Sequence, residues 1–248
     1  MIEIKLEKKV DLKGFTLIEG FPGAGLVGPM SISYIVEKTK PEYIGYIGGD
    51  SLPPLVSIHE GAPMPSIRIY YSKKQNFICI LAEFALPPEL TYELSEKVIK
   101  FVEDNGISSI ISVGGMPLKE GEEKYLNNVF SITSKKSIGE KAQKAGIKPI
   151  VEGISTGVSA IIMLKSAQRG IENINLLVPV RDGITDPKYA ELAIEAIKDF
   201  IKLDVDTSEL EKEAKILESK VNEIINKNKQ THQTFKSDAE QAGPSMYA

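Results

Sequence analysis

The sequence predicts an α/β fold: a three-layer domain with a mixed, largely parallel sheet, followed by a C-terminal helix and a flexible tail. Three observations lead there. Short apolar runs of strand length alternate with longer segments whose apolar residues recur at helical spacing. The strand-to-helix junctions are rich in glycine, as tight βα turns require. Two strand-like runs, 66–71 and 76–83, are separated only by a four-residue turn, so one antiparallel hairpin interrupts the alternation and makes the sheet mixed.

Composition narrows the function classes. The net charge is −4 with no basic stripe, which argues against nucleic acid as the main partner. The single cysteine, Cys79, lies in the apolar run 77–81 and reads as a small core hydrophobe. Two isolated histidines beside it make no zinc-ligand pattern, so no metal and no cofactor are expected. No apolar run approaches the roughly 20 residues that span a bilayer. The first nine residues alternate Ile/Leu with Glu/Lys, as a strand does and a signal peptide does not. A soluble, cytoplasmic protein with no membrane partner is expected.

The elements follow in order. Residues 2–6 alternate and suit an edge strand. Residues 15–19 form a buried strand that runs into Gly20-Phe-Pro-Gly-Ala-Gly-Leu-Val-Gly28 and then a helix over 29–38, stopped by Pro41. Residues 43–48 are the next strand. Residues 50–65 hold Pro53, Pro54, Gly61, Pro63 and Pro65 and are expected to be a loop. After the 66–83 hairpin, Pro87-Pro88 opens an amphipathic helix with Leu90, Leu94, Val98, Ile99 and Val102 on one face, ended by Gly106. Its acids Glu89 and Glu93 read as a solvated first-turn pair. A strand over 109–113 ends in Gly-Gly-Met-Pro. Then come a strand at 129–133, a helix at 139–145, a strand at 148–152, a helix at 158–169, a strand at 173–180 and a helix at 187–203. Tyr70 and Tyr71 are expected on opposite faces of their strand.

This α/β unit is assigned residues 1–203. From 204 the composition changes. Asp206, with Glu209 three positions on, makes a capping box. Leu210, Leu217 and Ile224 recur every seven residues, with Ala214 and Val221 between them, which is a short coiled-coil seam. A lone helix of this length is marginal in water, so the segment 204–228 must pack on its own domain or on another subunit. Leu210, Leu217, Val221 and Ile224 are the candidate oligomerisation residues. Residues 229–248 are a polar tail whose last three residues, Met246, Tyr247 and Ala248, form an apolar-aromatic tip bearing a carboxylate. Such a tip suits docking into a partner's pocket, with a positive group for the carboxylate.

Two loops resemble catalytic motifs. Gly23-x-Gly25-x-x-Gly28 stands between strand and helix, as a dinucleotide fingerprint does, but the acid wanted about 20 residues on is poorly placed; Asp50 follows a double glycine. Gly153-Ile-Ser155-Thr-Gly157 fits a nucleophile elbow. Asp182 or Asp186 could supply its acid, though both also suit capping of the next helix. Its histidine would have to be His232 in the tail or His59, upstream and out of the usual order. A small-molecule hydrolase or nucleotide binder using Gly23, Gly25, Gly28 and Ser155 is therefore the alternative function. No P-loop motif occurs, which disfavours ATP-driven work.

Taken as a set, Gly20–Gly28, Gly48-Gly49, Val113-Gly-Gly-Met-Pro117, Gly153–Gly157 and Leu203-Asp-Val-Asp206 resemble the proteasome assembly chaperone family, in particular its archaeal, PbaB-type members. The resemblance implies a phosphorylase/hydrolase-like α/β domain without an established catalytic centre, and so no enzyme. It implies a homo-oligomer, a homotetramer, whose partner is the ring of proteasome core-particle α subunits. It also implies that Met246-Tyr247-Ala248 acts as the hydrophobic–Tyr–any-residue (HbYX) ending that inserts between α subunits. A flexible tether of about 18 residues would give that tip a reach on the order of 20–25 Å, and several tails on one oligomer would add avidity.

Overall fold

The computed structural model describes residues 1–210. A nine-stranded sheet forms the middle layer. Its strands are β1 (Glu3–Leu6), β2 (Thr16–Gly20), β3 (Glu42–Gly48), β6 (Ile67–Ser72), β7 (Phe77–Ala82), β8 (Ser109–Pro117), β9 (Phe130–Thr133), β10 (Lys148–Pro149) and β11 (Glu172–Val180), with β4 (Val56–His59) and β5 (Ala62–Pro65) in a separate hairpin. The order across the sheet is β1-β3-β6-β7-β2-β8-β11-β9-β10. The central block β7-β2-β8-β11 is parallel throughout. The antiparallel pairs are β1–β3, β3–β6, β6–β7 and β11–β9. The mixed α/β sheet and three layers are as expected.

Strand alternation sends each side chain to one of two apolar layers. On one side Ile18, Ile111 and Leu176 face α1 (Val27–Thr39) and α5 (Pro187–Lys198), with α3 (Lys136–Lys144) beside them. On the other side Leu17, Ile80 and Ile110 face α2 (Thr91–Asp104) and α4 (Val158–Arg169). Tyr70 and Tyr71 divide between the two layers, and Cys79 is fully buried in the first. Burial pushes the Cys79 thiol well up, so it stays protonated and inert. Glu96 of α2 pairs with Lys165 and Arg169 of α4, and Glu103 accepts from Arg169 at 2.8 Å, which pins the two outer helices to each other. Asp186 caps α5 by accepting from the Lys188 N–H at 2.9 Å, the capping role its position suggests.

Several expectations are corrected. Part of the loop expected over 50–65 is the β4–β5 hairpin, turned by Glu60 and Gly61 at positive φ. Its prolines are tolerated by register. With His59 and Ala62 closing a two-residue turn, Pro63 and Pro65 oppose Ile58 and Val56 at the pairs that exchange no backbone hydrogen bonds. Strand β8 runs straight through Gly114-Gly115 to Pro117, and Gly115 answers a close approach of the Ala24 backbone and not a chain reversal. Helix α5 stops at Lys198, and β10 is two residues long. Glu93 is no mere solvated acid: it accepts from the Ile2 N–H at 2.6 Å and ties down the chain start.

The boundary at 203/204 is not a packing boundary. Leu203, Val205 and Leu210 lie in the α1/α5 layer, and Tyr34 donates its hydroxyl to the Asp206 carbonyl at 2.8 Å. The Asp206 carboxylate accepts from the Ser208 N–H at 2.9 Å. Leu217, Val221 and Ile224, and Met246, Tyr247 and Ala248, lie outside the described residues. No helix among the described residues is long and apolar enough to cross a membrane.

Candidate functional site

The carboxyl ends of β2, β8 and β11 meet at one edge of the sheet, and a cleft of about 700 Å³ opens there on the α4 side. The loop after β2 brings Phe21 and Gly23 to it, β8 contributes Gly114 and Gly115, and the segment 150–157 forms the opposite wall. The position follows from the topology: in parallel sheets the chain leaves the strand ends for the helices and leaves a crevice between adjacent loops. The two motif loops therefore do meet. Gly23 and Ser155 line the same cleft.

Gly20, Gly25 and Gly28 of the first loop are explained by packing, whereas a Cβ on Gly23 would meet nothing. Gly28 sits at the start of α1 directly over Gly20 and β8: a Cβ on Gly28 would stand 2.8 Å from the Val113 carbonyl oxygen, and one on Gly20 would stand 2.6 Å from that of Gly28. Gly25 has φ +63°, and a side chain there would strike Val180. A Cβ on Gly115 would overlap the Ala24 carbonyl oxygen. The dinucleotide reading also needs the next strand beside the first, with its acid at that strand's end. Here β3 is separated from β2 by β6 and β7, so Asp50, just past β3, is held away from the Gly23 turn.

The elbow is not formed either. Ser155 is exposed in the middle of the 150–157 segment, after a strand that ends at Pro149 and before a helix that begins at Val158. A nucleophile elbow places the serine on the strand-to-helix turn itself. His59 is committed to Glu83 at 3.1 Å, and Asp186 to its cap. Asp182 is exposed.

Three polar side chains that motif reading passed over lie under this cleft. Glu19, Ser112 and Asn175 are in register across β2, β8 and β11, on the face toward α4, and all are buried. Ser159, on the first turn of α4, donates to Glu19 Oε2 at 3.2 Å. Burial in this apolar layer raises the Glu19 carboxyl to about 7; the Ser112 and Ser159 hydroxyls and the Phe21 backbone oppose the rise. Of these only Ser159 reaches full hydrogen-bond geometry, and Glu19 Oε1, Ser112 Oγ and Asn175 Oδ1 have no hydrogen-bond partner among the described residues. The signal in the sequence was an acid inside the run Thr-Leu-Ile-Glu-Gly, a residue type that strands bury only for a reason.

A buried ion pair, Arg68–Glu83 with His59, sits at the base of the β4–β5 hairpin. Among the described residues no group of acids, histidines and cysteine is arranged to hold a metal.

Comparison with known proteins gives a consistent set. The model of the PAC2 family matches residues 17–225. MJ0106, an uncharacterized protein of Methanocaldococcus jannaschii, is 28% identical over 220 residues, which is 87% of each chain. Among solved structures, Pyrococcus furiosus PbaA, described as an archaeal homolog of proteasome-assembly chaperone, overlays with a TM-score of 0.82 at 24% identity, covering 92% of this chain and 99% of that one. Pyrococcus furiosus PbaB, described as an archaeal proteasome activator, overlays with a TM-score of 0.72 at 20% identity, covering 90% of this chain and 98% of its own. At these identities the structural likeness establishes a shared fold.

Proposed function

The chain belongs to the PAC2 family, and from that premise we propose that it is a non-enzymatic archaeal proteasome assembly chaperone or ATP-independent docking factor. In this reading it acts in the cytoplasm and binds the core-particle α-subunit ring through Met246, Tyr247 and the carboxylate of Ala248. The observation that carries the reading is that ending on a chain of this family. The fold shared with PbaA and PbaB, and what those two proteins are described as doing, support it. The chemistry is coherent. The Met side chain fills an apolar slot, the Tyr ring packs while its hydroxyl finds a partner, and the carboxylate meets a cationic group. Three residues bind weakly, so a homotetramer presenting several tails gains by avidity. Leu217, Val221 and Ile224 are the contact positions we assign to that assembly.

The test is a pull-down of isolated α subunits and of mature core particle with the full chain and with a chain lacking residues 246–248. The full chain is expected to retain the α ring. The shortened chain, and a chain extended past Ala248 so that the carboxylate is displaced, should lose it with an unchanged melting temperature. Equal retention by all three overturns the reading. Capture of isolated α subunits but not of mature core assigns assembly; the reverse assigns activation or inhibition.

A further inference from the structure

The cleft at the ends of β2, β8 and β11 has the chemistry of a ligand site that the tail does not explain. Buried polar groups in native proteins are nearly always paired. Here three unpartnered atoms, Glu19 Oε1, Ser112 Oγ and Asn175 Oδ1, stand on adjacent parallel strands in a single row. One pleat nearer the cleft, the position above Ser112 is Gly114, where a Cβ would make only an ordinary 3.6 Å contact with Leu177. The missing side chain leaves the polar row covered from the cleft by nothing larger than a hydrogen on that strand. Asn175 itself lines the cleft, and so does Ser159, whose hydroxyl donates to Glu19 and keeps lone pairs with which to accept.

The polarity of the walls selects the ligand. Among the described residues no Lys, Arg or His lines the cleft, and the one charged lining residue is Glu152. An anion would find there no cationic side chain, only neutral donors (the Ser155, Thr156 and Ser159 hydroxyls, the Asn175 amide and backbone N–H groups), with the Glu19 carboxyl behind Ser159. The remaining lining includes Phe21, Met116, Ile132, Ile150 and Leu177. The complement of an acid, a hydroxyl oxygen and an amide oxygen, ringed by apolar side chains, is a hydrogen-bond-donating cation on a short apolar body. We propose that this cleft binds a small primary amine as its ammonium ion, held by Ser159 Oγ and the Asn175 amide oxygen, with Glu19 as the positioning residue behind Ser159. Turning the Asn175 amide to present its oxygen breaks no hydrogen bond made by that oxygen, which has no partner among the described residues.

Charge linkage makes the site recognisable. Among the described residues no other charged group faces Glu19: its neighbours are Ile80 on β7, Ser112 on β8 and Ser159 on α4. A bound cation favours ionised Glu19, so affinity rises as the carboxyl deprotonates around neutrality. From pH 6 to pH 8 the ionised fraction increases about tenfold, and the affinity with it.

The experiment is a titration of the full, isotope-labelled chain with butylamine, using butanol and butyrate as isosteric controls, followed by the backbone amide signals of Gly114 and Ser159 and the side-chain amide of Asn175. Butylamine is expected to move these signals, about tenfold more tightly at pH 8 than at pH 6, with butanol weaker and butyrate inert. Glu19→Gln should abolish the pH dependence. Ser159→Ala, at a half-buried position that leaves the fold intact, should weaken binding several-fold. Equal or tighter binding of butyrate, a pH dependence that survives in Glu19→Gln, or no movement of these signals with butylamine overturns the proposal; the last outcome assigns the cleft to water.

Discussion

Arg68 Nη2 stands 2.6 Å from Glu83 Oε1, and the pair is almost fully enclosed, with Arg68 at 2% and Glu83 at 9% exposure. The two residues lie on the two arms of the β6–β7 hairpin, just inside and just past its paired strands. His59 reaches the same carboxylate at 3.1 Å, so one acid joins the sheet to the β4–β5 hairpin.

Removing one partner of such a pair leaves an unpaired buried charge. Arg68→Met is expected to cost about 3–5 kcal/mol, and the double variant Arg68→Met/Glu83→Met to recover most of it. Urea unfolding of the parent and the two variants measures both. The pH sign is set by the pairing. Burial alone would raise the Glu83 carboxyl, but the Arg68 charge and the hydrogen bonds from Ser57, Arg68 and His59 outweigh it and hold it below the ordinary 4.5. Its stabilisation is therefore complete above about pH 4.5 and is lost as pH falls through the lower folded value. Arg68→Met should blunt that acid transition.

Glu19 has the opposite sign. Its folded carboxyl titrates near 7 against 4.5 when unfolded, so the folded chain holds an extra proton between those values. The stability tied to it is complete below about pH 4.5 and declines as pH rises through 7, by about 3 kcal/mol in total. Glu19→Gln keeps the shape and removes the charge. It should melt higher than the parent at pH 8 and about equally at pH 4.5, which thermal unfolding across that range checks.

Gly115→Ala tests the close approach between β8 and the loop after β2. The new methyl would overlap the Ala24 carbonyl, a backbone atom that cannot swing aside. A loss of about 2–4 kcal/mol is expected, in line with overpacking at a rigid site. Gly114→Ala, one residue away with ordinary room, should cost far less. Chemical denaturation of the pair reads the difference.

Leu210 is 2% exposed within the chain's own core. Leu210→Ala should therefore lower stability by about 2–4 kcal/mol, with a shift in melting temperature that does not depend on protein concentration. A shift that grows on dilution would instead mark Leu210 as a contact between subunits.

Periodicity carried most of the architecture. Leu94, Val98 and Val102 recur at helical spacing because α2 buries one stripe, and Phe77–Leu81 is continuously apolar because β7 is covered on both faces. The β4–β5 hairpin was hidden because its prolines, normally strand breakers, fall at register positions that need no N–H, and register is a pairing property that one strand does not reveal. The cleft was half visible. Gly23 and Ser155 were singled out as motif residues and do line it, though neither motif's chemistry is assembled there. Glu19, Ser112 and Asn175 escaped notice because they lie far apart along the chain and become neighbours only when β2, β8 and β11 pair in parallel.

That strand order also dictates when the sheet can be completed. The central strand β2 pairs with Phe77–Leu81 on one side and Ser109–Ser112 on the other, and β8 waits in turn for Glu172–Val180. During synthesis the first strand of the block emerges long before its neighbours, and α5, which covers one face, comes after all of them. Non-local pairing of this kind is slow and leaves apolar strand faces open meanwhile. The β1-β3-β6-β7-β2 half can thus pair before β8 is made, while the β7-β2-β8-β11 block is complete only after residues 172–180.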